Sequence, residues 1–195
     1  MKICIGLLSN RGFEQQMVLS LLKMIDFTDD VEFHFEVATE GYTIAENRNF
    51  LAAKSCQNNC THLMMIDDDM IIPEFTLKLM LSHDKDMIGV NYNPRMLSDG
   101  YMVWKKGDKE GQRTKKEDLP NELYECEAIG FGAVLIKTKL FHEIERPWFD
   151  WEMYDTGMIK TGEDYYFCKK ATKKGFKIWC DPHIKPVQHI GKWLY

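Results

Sequence analysis

Residues 63–73 read Leu63-Met64-Met65-Ile66-Asp67-Asp68-Asp69-Met70-Ile71-Ile72-Pro73, an apolar run that leads into three consecutive aspartates. An uninterrupted apolar run of this length, bounded by polar residues, is typical of a strand covered on both faces in a parallel or mixed sheet. The three acids then follow at the carboxyl end of the strand, which is the edge of an open α/β sheet where ligands bind. The stretch therefore predicts an α/β fold with a binding site at residues 67–69.

Three adjacent carboxylates repel one another by about 3 kcal/mol per pair, for charges about 5 Å apart at an effective dielectric constant near 20. A bound cation relieves this repulsion, and ligands that are all oxygen favour Mg²⁺ or Mn²⁺. Because side chains alternate along a strand, we expect Asp67 and Asp69 to face one way and Asp68 the other. The alternative is an acidic turn that caps a helix beginning at Pro73.

Composition favours one domain over residues 1–195, which is long enough to bury a core without disulfide bonds. The net charge of −5 and the pI near 5.7 make nucleic acid an unexpected partner. No stretch has the length of a membrane span or the pattern of a signal peptide, so we expect a cytoplasmic protein whose six cysteines are reduced. Cys56, Cys60 and His62 could be zinc ligands, but packing at a helix end is the default interpretation.

Hydrophobic periodicity predicts alternating strands and helices along the first half of the chain. The strands are predicted at 2–9, 31–39, 63–66 and 86–91, and the helices at 14–24, 44–57 and 74–82. This order indicates a mostly parallel central sheet with helices on both faces. Residues 92–122, rich in glycine and in charges of both signs, are predicted to be a solvated excursion with a short strand at 101–104, or else a lid over the site.

Two further motifs lie where the predicted elements begin. Thr43 and Glu46 form a capping box, which places Asn47 and Arg48 in the first turns of a helix close to the strand ends. Arg48 is interpreted either as a solvated helix residue or as a contact to a nucleotide. Glu163 and Asp164 open a later helix, where they could simply cap it and favour its dipole.

Two other segments suggest ligand contacts. Gly130 and Gly132 flank one aromatic residue, which permits close backbone approach to a ligand. A loop over residues 148–154 holds four aromatic side chains, which serve either as core filling or as a stacking platform for a sugar or a base.

Taken together, the order of motifs resembles the GT-A fold glycosyltransferases, in particular the family 2-type inverting enzymes and their small phage or bacterial relatives. The resemblance covers residues 7–191 and comprises D-x-D after an apolar strand, a G-x-G strand, an aromatic loop, G-E-D opening a helix, and a terminal H-I-G. It implies the GT-A (nucleotide-diphospho-sugar transferase) fold.

The resemblance also implies residue roles. Asp67 and Asp69 form the D-x-D pair, with Asp69 the direct ligand of Mn²⁺ or Mg²⁺ and Asp67 nearer the ribose or a metal-bound water, while His189 is the third metal ligand. Asp164, with Glu163 beside it, carries the general base. The residues expected at the nucleotide are Asn47, Arg48, Asp67, Asp68, Gly130, Gly132 and Ser9, the last from a loop at 8–12 that matches the usual base-binding loop loosely.

The sequence thus predicts a metal-dependent, inverting hexosyltransferase that moves one sugar from a UDP- or GDP-sugar to an acceptor hydroxyl. Because no Q-x-x-R-W motif and no membrane helices follow, a single transfer is expected rather than processive synthesis. The acceptor, whether glycan, lipid or protein, is left open. The alternatives are a nucleotidyltransferase, which would want a lysine-bearing loop where residues 9–12 offer only Arg11, and an inactive module that binds a nucleotide sugar.

Overall fold

The computed structural model describes residues 1–9, 12–39, 43–94, 100–107, 113–184 and 188–189. The α-helices in these ranges are α1 (Gln15–Phe27), α2 (Ile44–Gln57), α3 (Thr76–Ser82), α4 (Lys139–Glu143) and α5 (Glu163–Lys173). The strands are β1 (Lys2–Leu8), β2 (Glu32–Ala38), β3 (His62–Asp67), β4 (Met70–Ile71), β5 (Met87–Val90), β6 (Val103–Trp104), β7 (Tyr124–Cys126), β8 (Ala128–Ile129), β9 (Ala133–Lys137), β10 (Glu152–Met153), β11 (Ile159–Thr161), β12 (Ile178–Asp181) and β13 (Gln188–His189). A 3₁₀ turn covers Lys116–Asp118.

Seven strands form the central sheet in the order β2-β1-β3-β9-β5-β12-β7. Strands β2, β1, β3, β5 and β12 run in one direction, and β9 and β7 run in the other. The prediction of a mostly parallel α/β sheet is therefore confirmed. Strand β2 lies at one edge of this sheet.

Helices cover both faces of the sheet, as predicted. Strand β3 shows how the two faces are built, because Met64 and Ile66 pack in the core beneath α1 and α3, whereas Leu63 and Met65 pack in the core beneath α2, α4 and α5. All four side chains are fully buried. Asp67 continues the alternation on the side of α2, and this places its carboxylate at the end of the buried face. None of the described helices has the length and apolar character required to cross a bilayer.

The start of α2 is fixed by the predicted capping box. The Thr43 hydroxyl accepts a hydrogen bond from the Glu46 backbone N–H at 3.2 Å, and the Glu46 carboxylate accepts one from the Thr43 N–H at 2.8 Å. The helix therefore begins at Ile44, as the sequence predicted. This start carries Asn47 and Arg48 into the interior one turn later, where each is 2% exposed.

The predicted helix start at Pro73 is wrong, and so is the alternative in which the three acids cap that helix. Residues 70–71 continue extended as β4, because they pair with β13 from the end of the chain. Helix α3 begins at Thr76, and no side chain caps it. The strand pairing thus places residues 70–71, whereas the helix predicted at 74–82 does form and starts two residues later.

The segment at 92–122 is described in part, since residues 95–99 and 108–112 lie outside the described ranges. The predicted short strand is confirmed as β6, but it is buried rather than solvated. Val103 pairs with Ile129 of β8, and Trp104 is joined by a backbone bridge to Arg113. The described part of the segment therefore packs against the main domain.

Asp181 is the last residue of β12, and its side chain links this strand to the end of α3. Its carboxylate accepts a hydrogen bond from the His183 backbone N–H at 2.8 Å and lies 2.7 Å from Nε2 of His83 at the end of α3. Burial opposes its ionisation, but these contacts outweigh burial and lower the pKa of the Asp181 carboxyl. We conclude that it is an ionised side chain with a structural role.

We expect D181N to lower the free energy of unfolding by about 1.5–3 kcal/mol, because hydrogen bonds to a buried charge are lost. Chemical denaturation measures this. The control is D29N, which removes an exposed ion pair with Lys78 and is expected to change stability by less than about 1 kcal/mol. Equal effects of the two variants would contradict the structural role of Asp181.

Candidate active site

The acidic corner predicted from the sequence lies at the carboxyl end of β3, in the middle of the sheet. Strand β3 ends at Asp67, whose backbone N–H donates to the Gly132 carbonyl at 3.0 Å. Asp68 and Asp69 then form the turn into β4. Asp67 keeps partial access to solvent, whereas Asp69 is 2% exposed.

The buried side chain of Arg48 links the acidic corner to neighbouring elements through hydrogen bonds. Its Nη2 donates to Asp67 Oδ1 at 3.2 Å, and its Nε donates to Glu163 Oε1 at 3.1 Å. Its Nη1 donates to the Phe131 carbonyl at 3.3 Å, and the guanidinium lies 5.3 Å from the centre of that ring. One buried cation therefore joins α2, β3 and the start of α5.

The interpretation of Arg48 as a solvated helix residue is wrong, since the side chain is 2% exposed. Burial opposes its charge, but Asp67 and Glu163 outweigh burial and raise the pKa of the guanidinium. A buried charge requires such partners, because an isolated ion in a protein interior costs several kcal/mol. The predicted contact between Arg48 and a nucleotide stays a prediction.

Asp164 follows Glu163 in the first turn of α5, and neither side chain caps the helix. The Asp164 carboxylate accepts a hydrogen bond from the Tyr165 backbone N–H at 2.7 Å. Burial, then the negative charge of Glu163, raises the pKa of Asp164 to about 6, against the opposing effect of Arg48. The two acids therefore differ, since Glu163 is committed to Arg48 whereas Asp164 is a candidate proton acceptor near neutral pH.

The other predicted nucleotide contacts divide into two groups. Ser9 and Asp68 meet, with the Ser9 hydroxyl 3.1 Å from an oxygen of Asp68 and 2.7 Å from the Gly12 carbonyl. Asn47 is buried, and its side-chain oxygen has no hydrogen-bond partner among the described residues. Residues 10 and 11 of the predicted base-binding loop lie outside the described ranges.

Tyr92 occupies the space that Gly130 and Gly132 leave open. A Cβ atom at Gly130 would lie 2.4 Å from the Tyr92 hydroxyl oxygen, and one at Gly132 would lie 2.7 Å from the ring. The Gly132 N–H donates to the Tyr92 hydroxyl at 2.9 Å. The close approach predicted for a ligand is thus made by Tyr92, and ligand contact by these two glycines stays a prediction.

The tail of the chain returns to the acidic corner. In the β4–β13 pair, the backbone of His189 lies opposite Met70, the residue that follows Asp69. The His189 side chain lies outside the described part of the structure. Among the described residues, no three His, Cys, Asp or Glu side chains are grouped to hold a metal ion. The carboxylate oxygens of the predicted set are donors that suit Mn²⁺ or Mg²⁺.

Two clefts open beside these residues. A smaller cleft of about 400 Å³ is lined by Ile44, Arg48, Asp67, Tyr92, Pro94, Met102, Arg113, Phe131, Glu163 and Asp164. A larger cleft of about 590 Å³ is lined by Met102, Trp104, Arg113, Tyr154, Lys160, Thr161, Gly162, Asp164, Tyr165 and Lys169. Both sizes suit small-molecule ligands. Asp164, Arg113 and Met102 line both clefts and therefore lie where they meet.

The aromatic loop at 148–154 fills the core in part, and its role as a stacking platform stays a prediction. Trp148 and Phe149 are buried in the core, whereas Tyr154 is exposed and lines the larger cleft. Sequence reasoning missed Tyr92 and Arg113 as site residues. Tyr92 follows β5 at the same edge of the sheet, so the rule that strand ends hold ligands could have indicated it.

No family model matches the chain, and no curated protein matches it in sequence. Solved structures do match in fold. The protein A197 from STIV is 19% identical, with a TM-score of 0.64 over 93% of this chain and 82% of that one. The inositol-1-phosphate CTP transferase from T. maritima is 12% identical, with a TM-score of 0.57 over 98% of this chain and 89% of that one.

A protein named as a nucleotide-diphospho-sugar transferase, from Desulfovibrio desulfuricans G20, is 9% identical, with a TM-score of 0.51 over 97% of this chain and 82% of that one. At these identities the similarity defines the fold. The chain has the nucleotide-diphospho-sugar transferase fold, which confirms the predicted fold class.

We expect R48M to lower the free energy of unfolding by about 3–5 kcal/mol, because it leaves the buried carboxylate of Glu163 and the partly buried one of Asp67 without their cation. The E163Q substitution is expected to lower the free energy of unfolding less in R48M than in the native protein. The difference, which is the coupling energy between the two residues, is expected to be about 0.5–3 kcal/mol. Denaturant unfolding of the four proteins measures this cycle. The matched control is R146M, an exposed arginine that contacts the Trp148 ring. Strict additivity would contradict the ion-pair network.

Proposed function

We propose that this protein is a metal-dependent, inverting, non-processive glycosyltransferase that moves a sugar from a UDP- or GDP-sugar to an acceptor hydroxyl. The observation that carries the proposal is the position of Asp164. An acid whose pKa is about 6 lines both clefts, and the smaller of them also contains Asp67 at the predicted nucleotide site. A base located between donor and acceptor is the arrangement that an inverting transfer requires.

The donor is assigned to the smaller cleft and the adjacent acidic corner. Asp69, with Asp67 and His189, would hold the divalent cation. A bound Mn²⁺ or Mg²⁺ supplies Lewis-acid stabilisation of the charge that develops on the departing diphosphate. Asp67 is held in place for this role by Arg48.

Proton transfer is assigned to Asp164. The acceptor hydroxyl forms a bond to the anomeric carbon, the bond from that carbon to the diphosphate oxygen breaks, and the carboxylate of Asp164 takes the hydroxyl proton. Glu163 is a positioning residue, because its Oε1 is bound to Arg48. The ionised pair formed by Glu163 and Arg48 fixes the first turn of α5 and with it the direction of Asp164.

Nucleotidyl transfer is the second candidate, and the similarity in fold to the CTP transferase favours it. It would join a nucleoside triphosphate to a sugar phosphate and release pyrophosphate, whereas glycosyl transfer releases a nucleoside diphosphate. Product analysis separates the two reactions. The sequence at residues 9–12, with one arginine and no lysine, favours glycosyl transfer.

The metal role predicts that Mn²⁺ together with UDP or GDP raises the melting temperature, since ligand at about 100 times its dissociation constant stabilises by about 2.7 kcal/mol. D69N is expected to lose this shift while it still unfolds cooperatively. D29N, at an exposed acid, is expected to keep the shift. An unchanged shift in D69N would remove Asp69 from the metal site.

The base role predicts that D164N lowers kcat about 10²–10⁴-fold. Because the pKa of Asp164 is raised to about 6, the carboxylate is ionised above that pH and protonated below it. The kcat/KM of the native protein is therefore expected to fall about tenfold per pH unit below about pH 6. D155N, an exposed acid, serves as the control. A profile that is flat down to pH about 4.5 would exclude Asp164 as the base.

A further inference from the structure

The larger cleft is rich in cationic side chains, although the protein as a whole is acidic. Three cationic side chains line it, from Arg113, Lys160 and Lys169, and among its described lining residues Asp164 is the one carboxylate. The chain carries a net charge of −5. A cationic cleft on an acidic protein attracts anions locally, because charge in a concave site is concentrated there.

One carboxylate is shared between the two lysines. Glu152, on the hairpin of β10 and β11, lies 3.3 Å from Nζ of Lys169 and 3.9 Å from Nζ of Lys160. Lys169 is the nearer of the two and therefore the main partner of Glu152, whereas Lys160 lies at the limit of ion-pair distance. Lys160 is about half exposed, so its three N–H donors can reach a ligand.

Arg113 supplies the cation on the opposite side, next to the smaller cleft. Its backbone is bridged to Trp104, and its guanidinium lies 5.6 Å from the centre of the Trp104 ring. No ion pair joins it to another described residue. A guanidinium supported by a ring face and open to the cleft is suited to bidentate binding of phosphate or carboxylate.

Aromatic side chains complete the wall between these cations. Trp104 and Tyr165 meet edge to face with ring centres 5.4 Å apart, and the exposed ring of Tyr154 lies at the mouth. Aromatic rings with a polar edge suit a ligand that is itself part apolar and part polar, such as a sugar ring. The cleft therefore combines a surface for a ring with cations for an anionic substituent.

We propose that the larger cleft is the acceptor site and that it selects a sugar-like ring bearing a phosphate or a carboxylate. The anionic group binds Arg113, Lys160 and Lys169, and a hydroxyl of the ring points toward Asp164. The assignment of this ligand as the acceptor rests on the proposed function. The preference for an anionic ring is a property of the cleft and can be measured without turnover.

The experiment compares the binding of glucose, glucose 6-phosphate and glucuronate to the native protein by calorimetry. We expect at least one anionic sugar to bind about tenfold or more tightly than glucose. Comparison of glucose 6-phosphate with glucuronate shows whether the cleft prefers a phosphate or a carboxylate. Raising the salt concentration from about 0.01 M to about 0.15 M is expected to weaken the binding of the anionic ligand and to leave the affinity for glucose unchanged.

The double variant R113A/K160A is expected to abolish the preference. The matched control R146A/K106A removes an arginine that contacts a tryptophan ring and an exposed lysine paired with Glu125, both outside the cleft, so the change in net charge is the same. It is expected to keep the preference. Equal affinity for all three sugars, or equal loss in both double variants, would overturn the proposal.

Failure of the two proposals can be told apart. Tight binding of an anionic sugar without any donor turnover would reject glycosyl transfer and leave the anion-selective cleft standing. Donor turnover, together with equal affinity for the charged and neutral sugars, would reject the anion preference and leave glycosyl transfer standing.

Discussion

The buried guanidinium of Arg48 is the interaction on which the site depends. It bonds to Asp67 at the end of β3 and to Glu163 at the start of α5, two residues that are far apart in the sequence. In a water-poor interior neither the cation nor its acids can be left without a partner, because each unpaired charge would cost several kcal/mol. Helix α2, the central strand and α5 must therefore meet in one arrangement, and that arrangement sets the position of Asp164.

This network gives adjacent acids different properties. Glu163 is bound to the cation, whereas Asp164, one residue further on, is raised in pKa by burial and by the charge of Glu163. Asp67 is oriented by Arg48, and Asp68 contacts Ser9. In the proposed reaction, some of these acids hold the donor and another accepts the proton. The environment of a carboxylate, rather than its residue type, decides which role it has.

The distribution of charge supports the same division. The acids at residues 67–69 lie at the carboxyl end of β3, and the cations Arg113, Lys160 and Lys169 line the larger cleft. Asp164 lies at the boundary between the larger cleft and the smaller one. An anionic acceptor would be attracted by these cations, while the proposed metal would balance the charge of the diphosphate donor. The negative charge of each ligand would thus be balanced by a different cation. Two anionic ligands could then bind next to the same carboxylate, Asp164.

The sequence by itself determined the order of strands and helices in the first half of the chain, the acidic corner at the end of β3 and the start of α2. Each of these follows from a local pattern: an apolar run that ends in acids, or the capping box of Thr43 and Glu46. It also indicated that Glu163 and Asp164 lie at the start of a helix. Periodicity and capping act within a few residues, so they can be seen in the chain without its fold.

Only the tertiary structure decided that Arg48 is buried between two acids, that Tyr92 fills the space beside Gly130 and Gly132, and that residues 70–71 form a strand rather than lead directly into a helix. Each of these depends on a partner distant in sequence: Glu163 for Arg48, Gly132 for Tyr92 and β13 for β4. The sequence shows residue types and spacing along the chain, whereas burial and charge pairing depend on which surfaces meet when the chain folds.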